Sequence, residues 1–150
     1  MSEFYVKMPY KDMEKWFGTL NKEYKSMFKM IVLNTLLKAE KLAKKFAPVD
    51  NGDLMRGIHS YPLKSKLAGV IYAWINYSPY QEFGTGNKVF TQHGLSYVPD
   101  KDVKDYASQF KGAGKRKVNM GAQPYFFPAI NLAKKEMIAR LNQIGFKKTK

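Results

Sequence analysis

The chain has 150 residues, enough for one compact domain and too few for two ordinary ones, and its 45% hydrophobic content excludes wholesale disorder. It contains no cysteine, so the sequence offers neither a disulfide nor a thiolate zinc site. The 26 lysines and arginines outnumber the 12 acidic residues and give a net charge of +14, which predicts attraction to nucleic acid or another anionic surface. Because the lysines are spread along the whole chain, a solvated basic surface is the preferred interpretation.

No stretch of the sequence approaches the ~20 apolar residues of a membrane-spanning helix, and the first residues lack a signal-peptide run. We therefore expect no membrane partner and a product that is made in the cytoplasm or built into a particle there. Residues 1–150 are predicted to form a single domain, with a flexible segment at 1–10 and a basic tail at 146–150.

Residues 11–46 are predicted to form one long amphipathic helix. Apolar residues recur at steps of three and four from Phe17 to Phe46, while lysines occupy the opposite face. Gly18 is a candidate position for a kink or break near the start. The helix must end before Pro48, because the residue preceding a proline is pushed out of the α region.

The segment after this helix has the composition of a turn, with Pro, Asp, Asn and Gly in succession. Asp50 is a candidate cap for a short helical turn that runs through Leu54 and Arg56. Gly52 is a candidate for a positive φ.

Two strands are predicted next, at residues 58–63 and 70–75, joined by a polar turn. The second strand, Val-Ile-Tyr-Ala-Trp-Ile, is the strongest β pattern in the chain and is apolar on both faces. A strand at the surface of a two-layer domain would alternate apolar and polar residues. One face is therefore expected under the long helix, and the other under a second helix or a neighbouring subunit.

The rest of the chain is predicted to hold a long excursion and a terminal helix. Residues 87–120 are too long for a plain connection and form an inserted loop or arm, with a short helix after Asp100. Residues 123–128 are extended because of their prolines, and Pro128 suits the first turn of a helix that ends near Gly145. The predicted fold class is α+β, with the long N-terminal helix and the C-terminal helix packed on a small antiparallel sheet.

Few residues of the sequence suggest chemistry. His59 and His93 have neither cysteine partners nor metal-ligand spacing, so a strand histidine and a loop histidine are the preferred interpretation. Glu82 is the most suggestive carboxylate, but general acid catalysis needs a second carboxylate that the sequence does not identify. A structural Glu82, paired with an arginine such as Arg56 or capping a backbone amide, is preferred. No catalytic, cofactor or metal residues are predicted.

A nucleic-acid platform is a further interpretation of the aromatic residues on the strands. Tyr61, Tyr72 and Trp74, together with the basic charge, would suit stacking and phosphate contacts. Aromatic residues on a strand are more often core residues, however, and the glycine-aromatic signature of an RNA-recognition sheet is missing from the sequence.

Three blocks of the sequence, in their order and spacing, resemble the tail-completion or head–tail joining (neck) proteins of long-tailed double-stranded DNA bacteriophages. The blocks are Ala47–Ile58, Tyr77–Gly86 and Gln123–Ile130. The ordered set, which lies within residues 20–144, carries the resemblance more than any one block. Its motif residues, for which the resemblance implies a structural role, are Pro48, Val49, Asp50, Gly52, Leu54, Arg56, Tyr77, Tyr80, Glu82, Phe83, Gly84, Thr85, Gln123, Pro124, Phe127 and Pro128.

The resemblance implies a structural virion protein, assembled in the host cytoplasm, with no enzymatic activity and no cofactor. It implies a homo-oligomeric ring, of six subunits, around the channel through which the DNA passes. The partners would be a head connector or adaptor on one side and a tail terminator or tail tube on the other, with non-specific contact to genomic DNA.

The residues themselves predict where such a ring would make contact. The strand at 70–75 has more apolar surface than one small domain covers, so Val70, Tyr72 and Trp74 are expected at an interface. Tyr106 and Phe110 are expected to anchor the arm at 87–120 when it becomes ordered on assembly. The alternatives are a free basic nucleic-acid-binding module and a small hydrolase that acts through Glu82.

Overall fold

The structure is a computed structural model that describes residues 4–7, 18–50, 52–64, 67–89, 101–111 and 119–144, with backbone only at 4–7 and 101–104. Two helices, α1 (Lys22–Phe46) and α5 (Phe126–Gln143), pack on a small antiparallel sheet. The predicted α+β fold class is confirmed. In the described part of the chain, no helix is both long and apolar enough to cross a membrane.

Helix α1 begins at Lys22, not at Lys11 as predicted. Asn21 has an extended backbone, with ψ 170°, and its side chain accepts a hydrogen bond from the amide of Tyr24 at 3.0 Å. Asparagine is a strong N-cap residue because its side-chain oxygen satisfies an amide that has no partner within the helix. The chain therefore leaves the helical conformation three residues after Gly18, the candidate break; residues 11–17 lie outside the described part. The helix ends at Phe46, as predicted.

Within the described residues the sheet has three strands, in the order β1-β3-β2. They are β1 (Phe4–Lys7), β2 (Ile58–Pro62) and β3 (Gly69–Ala73). Both pairs are antiparallel, and β3 is the central strand. The predicted hairpin is present. Strand β2 ends one residue earlier than predicted, and β3 begins one residue earlier and ends two residues earlier. Strand β1 lies within residues 1–10, where the sequence analysis places a flexible segment and no strand.

The two faces of the sheet have different surroundings. On the inner face Ile58, Ile71 and Ala73 are buried, and Ser60 donates a hydrogen bond to Glu40 of α1 at 2.6 Å. On the outer face Tyr61 is 49% exposed. The predicted second helix over this face is therefore not supplied by the part of the chain that the structure describes.

Short elements connect the sheet to α5. They are α2 (Asp53–Arg56), α3 (Ser78–Phe83), a 3-10 turn (Gly86–Lys88), α4 (Lys101–Ser108) and a second 3-10 turn (Gln109–Lys111). The main core lies between the C-terminal half of α1, the inner face of the sheet and the first turns of α5, and a second cluster joins α1 to the end of α5. Helix α5 starts at Phe126, two residues before the predicted limit at Pro128.

The segment predicted to form an arm is in part packed on its own domain. The rings of Phe83 and Phe110 stack with centroids 5.9 Å apart and an interplanar angle of 11°. Tyr106 meets Phe83 edge-to-face at 5.9 Å, and Ala107 is buried in the main core. Tyr106 and Phe110 are thus intramolecular core contacts and not free anchors for a partner. Residues 90–100 and 112–118 lie outside the described part.

The cap of α1 gives a first test. Replacing Asn21 with Ala removes the acceptor for the Tyr24 amide, so we expect a loss of about 1 kcal/mol in the free energy of unfolding. The same change at Asn34, which is exposed in the middle of α1, should stabilise the protein by a few tenths of a kcal/mol because alanine has the higher helix propensity. Urea denaturation measures both values; equal effects of the two changes would contradict the assigned start of α1.

Candidate functional site

The three sequence blocks, which are far apart along the chain, meet around one groove of about 570 Å³. Tyr77 and Gln81 line it from the second block, and Gln123 lines it from the third. The first block supplies Pro48, Val49, Asp50, Gly52, Asp53 and Leu54. The groove is the candidate functional site, because it is where the motif residues of the chain come together.

A buried carboxylate holds the second block to the third. Glu82, on α3, is 1% exposed, and its oxygens accept hydrogen bonds from the amides of Tyr125 at 2.7 Å, Phe126 at 2.9 Å and Phe127 at 3.1 Å. These amides belong to the cap and first two residues of α5, where no partner within the helix exists. The positive end of the helix dipole also favours an anion at this place.

The N-terminus of helix α5 has no capping side chain from its own N-cap residue. Its N-cap residue, Tyr125, makes no side-chain hydrogen bond to the helix, and the third helical residue is Pro128, which has no N–H to satisfy. Glu82, 43 residues earlier in the chain than Tyr125, therefore takes the place of a local N-cap side chain. A carboxylate accepting backbone amides is among the stronger hydrogen-bond arrangements in proteins.

The prediction that Glu82 caps backbone amides is confirmed. Arg56, the suggested ion-pair partner, instead pairs with another residue. Arg56 is exposed and its guanidinium pairs with Asp53 at 3.1 Å, three residues away on α2. The prediction that Asp50 caps α2 is wrong. The N-cap position is Gly52, which makes no side-chain hydrogen bond and has a φ of 75°. The expected positive φ of Gly52 is confirmed.

Backbone hydrogen bonds extend this attachment along both blocks. The amide of Gln123 donates to the carbonyl of Gln81 at 2.8 Å, and the two glutamine side chains also bond to each other. The amide of Thr85 donates to the carbonyl of Met120 at 2.9 Å, and the Thr85 hydroxyl accepts from the Met120 amide at 2.9 Å. The third block thus runs beside the second before it enters α5.

Gly84 makes this close approach possible. Its φ of 76° with a ψ of −172° is a conformation that residues with a side chain rarely adopt. A Cβ atom at this position would lie 2.7 Å from the carbonyl oxygen of Met120 and 2.8 Å from the amide nitrogen of Ala122. The Glu-Phe-Gly-Thr motif therefore places the carboxylate inside the domain and lets the neighbouring backbone pass the glycine.

Two buried hydroxyls lie beneath the same junction. Ser78 and Tyr125 are 1% and 0% exposed, and neither hydroxyl oxygen has a hydrogen-bond partner among the described residues. Burial raises the pKa of the Tyr125 phenol, and the nearby charge of Glu82 adds to the rise. The Ser78 hydroxyl acts in the opposite direction. Because the Ser78 and Tyr125 hydroxyls are not hydrogen-bonded to each other, this pair does not stabilise the junction.

The remaining motif residues have structural positions. Pro48 and Pro124 are half-buried, Leu54, Phe83, Thr85 and Phe127 are buried, and Tyr80 contacts Phe110 edge-to-face at 5.0 Å. Val49 differs, since it is 80% exposed at the rim of the groove. Tyr77, at the same rim, is 45% exposed.

The expected interface residues of β3 are only partly at the surface. Val70 is buried in its own domain, whereas Tyr72 is half-buried and Trp74, just after the strand, is 60% exposed. His59 is exposed and its ring lies 5.8 Å from that of Tyr72. His93 lies outside the described residues. No cluster of three metal-ligating side chains occurs among the residues that the structure describes.

The amides of Tyr125, Phe126 and Phe127 were not predictable as the particular partners of Glu82, because backbone amides leave no mark in a sequence. The one signal that could have indicated them is a glutamate in an aromatic block together with a helix that starts without a capping side chain. In comparisons with known proteins, no family model, no curated protein and no solved structure matches this chain.

Replacing Glu82 with Gln tests the junction. The amide side chain keeps the shape but loses the charge, and it turns an NH2 group toward backbone N–H donors. We expect a loss of about 3 kcal/mol in the free energy of unfolding, because buried donors lose a charged acceptor. Urea denaturation gives the value.

The matched control is Glu136→Gln, which breaks an exposed ion pair with Lys38 between α5 and α1. Exposed pairs contribute about 0–1 kcal/mol, so this variant should remain close to the parent protein. If the two glutamine variants are equally stable, Glu82 does not hold the blocks together.

Proposed function

We propose that this chain is a structural subunit of a tailed bacteriophage, which assembles into a ring at the head–tail junction. The subunit would join the head connector or adaptor to the tail terminator or tail tube and would line the DNA channel. In this proposal the protein acts by shape and contact and not by catalysis.

One observation carries the proposal: the three blocks that resemble the neck proteins are adjacent in space, with all three lining one groove and the second hydrogen-bonded to the third. Glu82 binds the third block, Gly84 gives it room, and Gln81 pairs with Gln123. A resemblance formed by chance would have no reason to place its separate blocks together. Their convergence supports the reading of the blocks as one inherited structural unit.

The environment of Glu82 supports a structural role over the hydrolase alternative. Both carboxylate oxygens accept backbone amides, and the side chain is 1% exposed. A general acid must be within hydrogen-bond reach of a substrate atom, directly or through one water. Glu82 instead faces the interior of the domain, where it fixes the start of a helix.

An apolar stripe on α1 is the surface that we assign to contacts between subunits. Met27, Met30 and Leu37 are 46%, 55% and 55% exposed, although methionine and leucine are usually buried. Spacings of three and seven residues place them on one side of the helix, opposite the core. A neighbouring copy would cover this stripe, which replaces the buried strand residue Val70 as the expected contact.

The net charge of +14 supports a position beside the DNA channel. There, lysine and arginine side chains would make contacts with phosphates that do not depend on base sequence. Lys41 and Lys45 on α1, for example, are exposed and available for such phosphate contacts.

The test uses the tailed phage whose genome, under this proposal, encodes this chain. Without the gene, we expect DNA-filled heads and complete tails that remain separate, because the joining ring is missing. The wild-type gene supplied in trans should restore joined particles, whereas Met30→Asp, which puts a charge in the proposed subunit contact, should not. Electron microscopy counts the joined particles.

The matched control is Met55→Asp. Met55 is 41% exposed on α2, away from the α1 stripe, so this variant should restore joining. Joined, infectious particles that form without the gene, or particles that do not contain the protein, would contradict the proposal.

A further inference from the structure

The outer face of the sheet carries four aromatic rings that the described part of the chain leaves at least partly exposed. We call His59, Tyr61, Tyr72 and Trp74 the outer aromatic face. The ring of Tyr72 lies 5.8 Å from that of His59 and 6.0 Å, edge-to-face, from that of Tyr61. Tyr61 and Trp74 are 49% and 60% exposed, so at least two rings present open surface.

The strand register explains why these rings share one face. Side chains alternate between the two faces along a strand, and paired residues of neighbouring strands point to the same face. His59 pairs with Tyr72, and Tyr61 pairs with Val70. The amide of Trp74 donates to the carbonyl of Gly57 at 3.1 Å, which continues the pairing beyond β3 and keeps Trp74 in line with Tyr72.

The hairpin sequence that carries this face is basic. Residues 54–81, which contain β2 and β3, include Arg56, which pairs with Asp53, two lysines and no aspartate or glutamate. Lys64 is exposed where β2 ends. Glu40 lies on the opposite side of the sheet, where its carboxylate is bound by Lys44 and Ser60. Burial raises the pKa of Glu40, but these hydrogen bonds outweigh it and lower that pKa overall.

We propose that the outer aromatic face binds single-stranded nucleic acid. Unpaired bases would stack on Tyr61, Tyr72 and Trp74, while lysines of this strongly basic chain would contact the phosphates. Every base has a π-face, so such a platform accepts a strand with little preference for sequence. The ligand is a polyanion, which complements the net charge of +14.

The geometry favours a single strand over a double helix. In a duplex each base already stacks on its neighbours, so only groove edges and phosphates are available to a protein. Exposed ring faces on a sheet contribute only when bases are free to leave that stack. The site is separate from the α1 stripe and from the groove, and it stands whether or not the subunit-ring proposal does.

The experiment measures binding of the full chain to a fluorescently labelled oligothymidylate by anisotropy, at several salt concentrations. We expect binding that weakens with salt and is tighter than to a duplex of the same length. Tyr61→Leu and Trp74→Leu should each weaken it about 5- to 150-fold, the range found for the loss of one stacked ring. Trp74→Phe, which keeps an aromatic face, should restore most of the affinity.

Tyr24→Leu is the matched control, since Tyr24 is 43% exposed on α1, and it should leave the affinity unchanged. Far-UV circular dichroism and thermal unfolding confirm that the variants, all at exposed positions, remain folded.

The proposal is overturned if the wild type does not bind the oligomer at low salt, or if the leucine variants all bind as the wild type does. It is also overturned if Trp74→Leu abolishes self-association in sedimentation while oligomer binding is unchanged, which would make the face a contact between copies. An oligouridylate in place of oligothymidylate then distinguishes an RNA ligand from a DNA ligand.

Discussion

The buried carboxylate of Glu82 at the start of α5 is the interaction on which the rest of this structure depends. A charge in the interior is costly unless it is fully bonded, and here three backbone amides bond to it. Those amides would otherwise be buried donors without a partner at the end of a helix. Each side of the contact therefore needs the other, and neither can be removed alone without a large loss of stability.

This contact determines where α5 begins, and through α5 it determines the main core. Phe126 and Ile130 of α5, which are almost fully buried, pack in the same core as Ile58 and Ile71 of the sheet. The bonds between Gln81 and Gln123 and between Thr85 and Met120 keep the third block beside the second. The first block completes the groove, and its buried Leu54 belongs to the same core as Phe83 and Tyr125 of the other two blocks.

Periodic features of this fold were predictable from the sequence, and long-range or backbone partners were not. The 3.6-residue pattern of α1, its end before Pro48, the hairpin and the positive φ of Gly52 depend on neighbouring residues, and the structure has all four. The start of α1 at Lys22, after the N-cap residue Asn21, was not predictable because the apolar spacing continues through the cap. The position of Phe110 beside Phe83, and the amides bound by Glu82, depend on tertiary contacts that no local pattern encodes.

Native-state hydrogen exchange, followed by NMR at single amides, tests the central role of Glu82 most directly. In the wild-type protein the amides of Tyr125 and Phe126 should exchange only through global unfolding, like that of Ala133 within α5. In Glu82→Gln they should open at a lower free energy than Ala133, because the helix start has lost its cap. If the relative protection of these amides is the same in both proteins, or if they are unprotected in the wild type, Glu82 does not hold the start of α5.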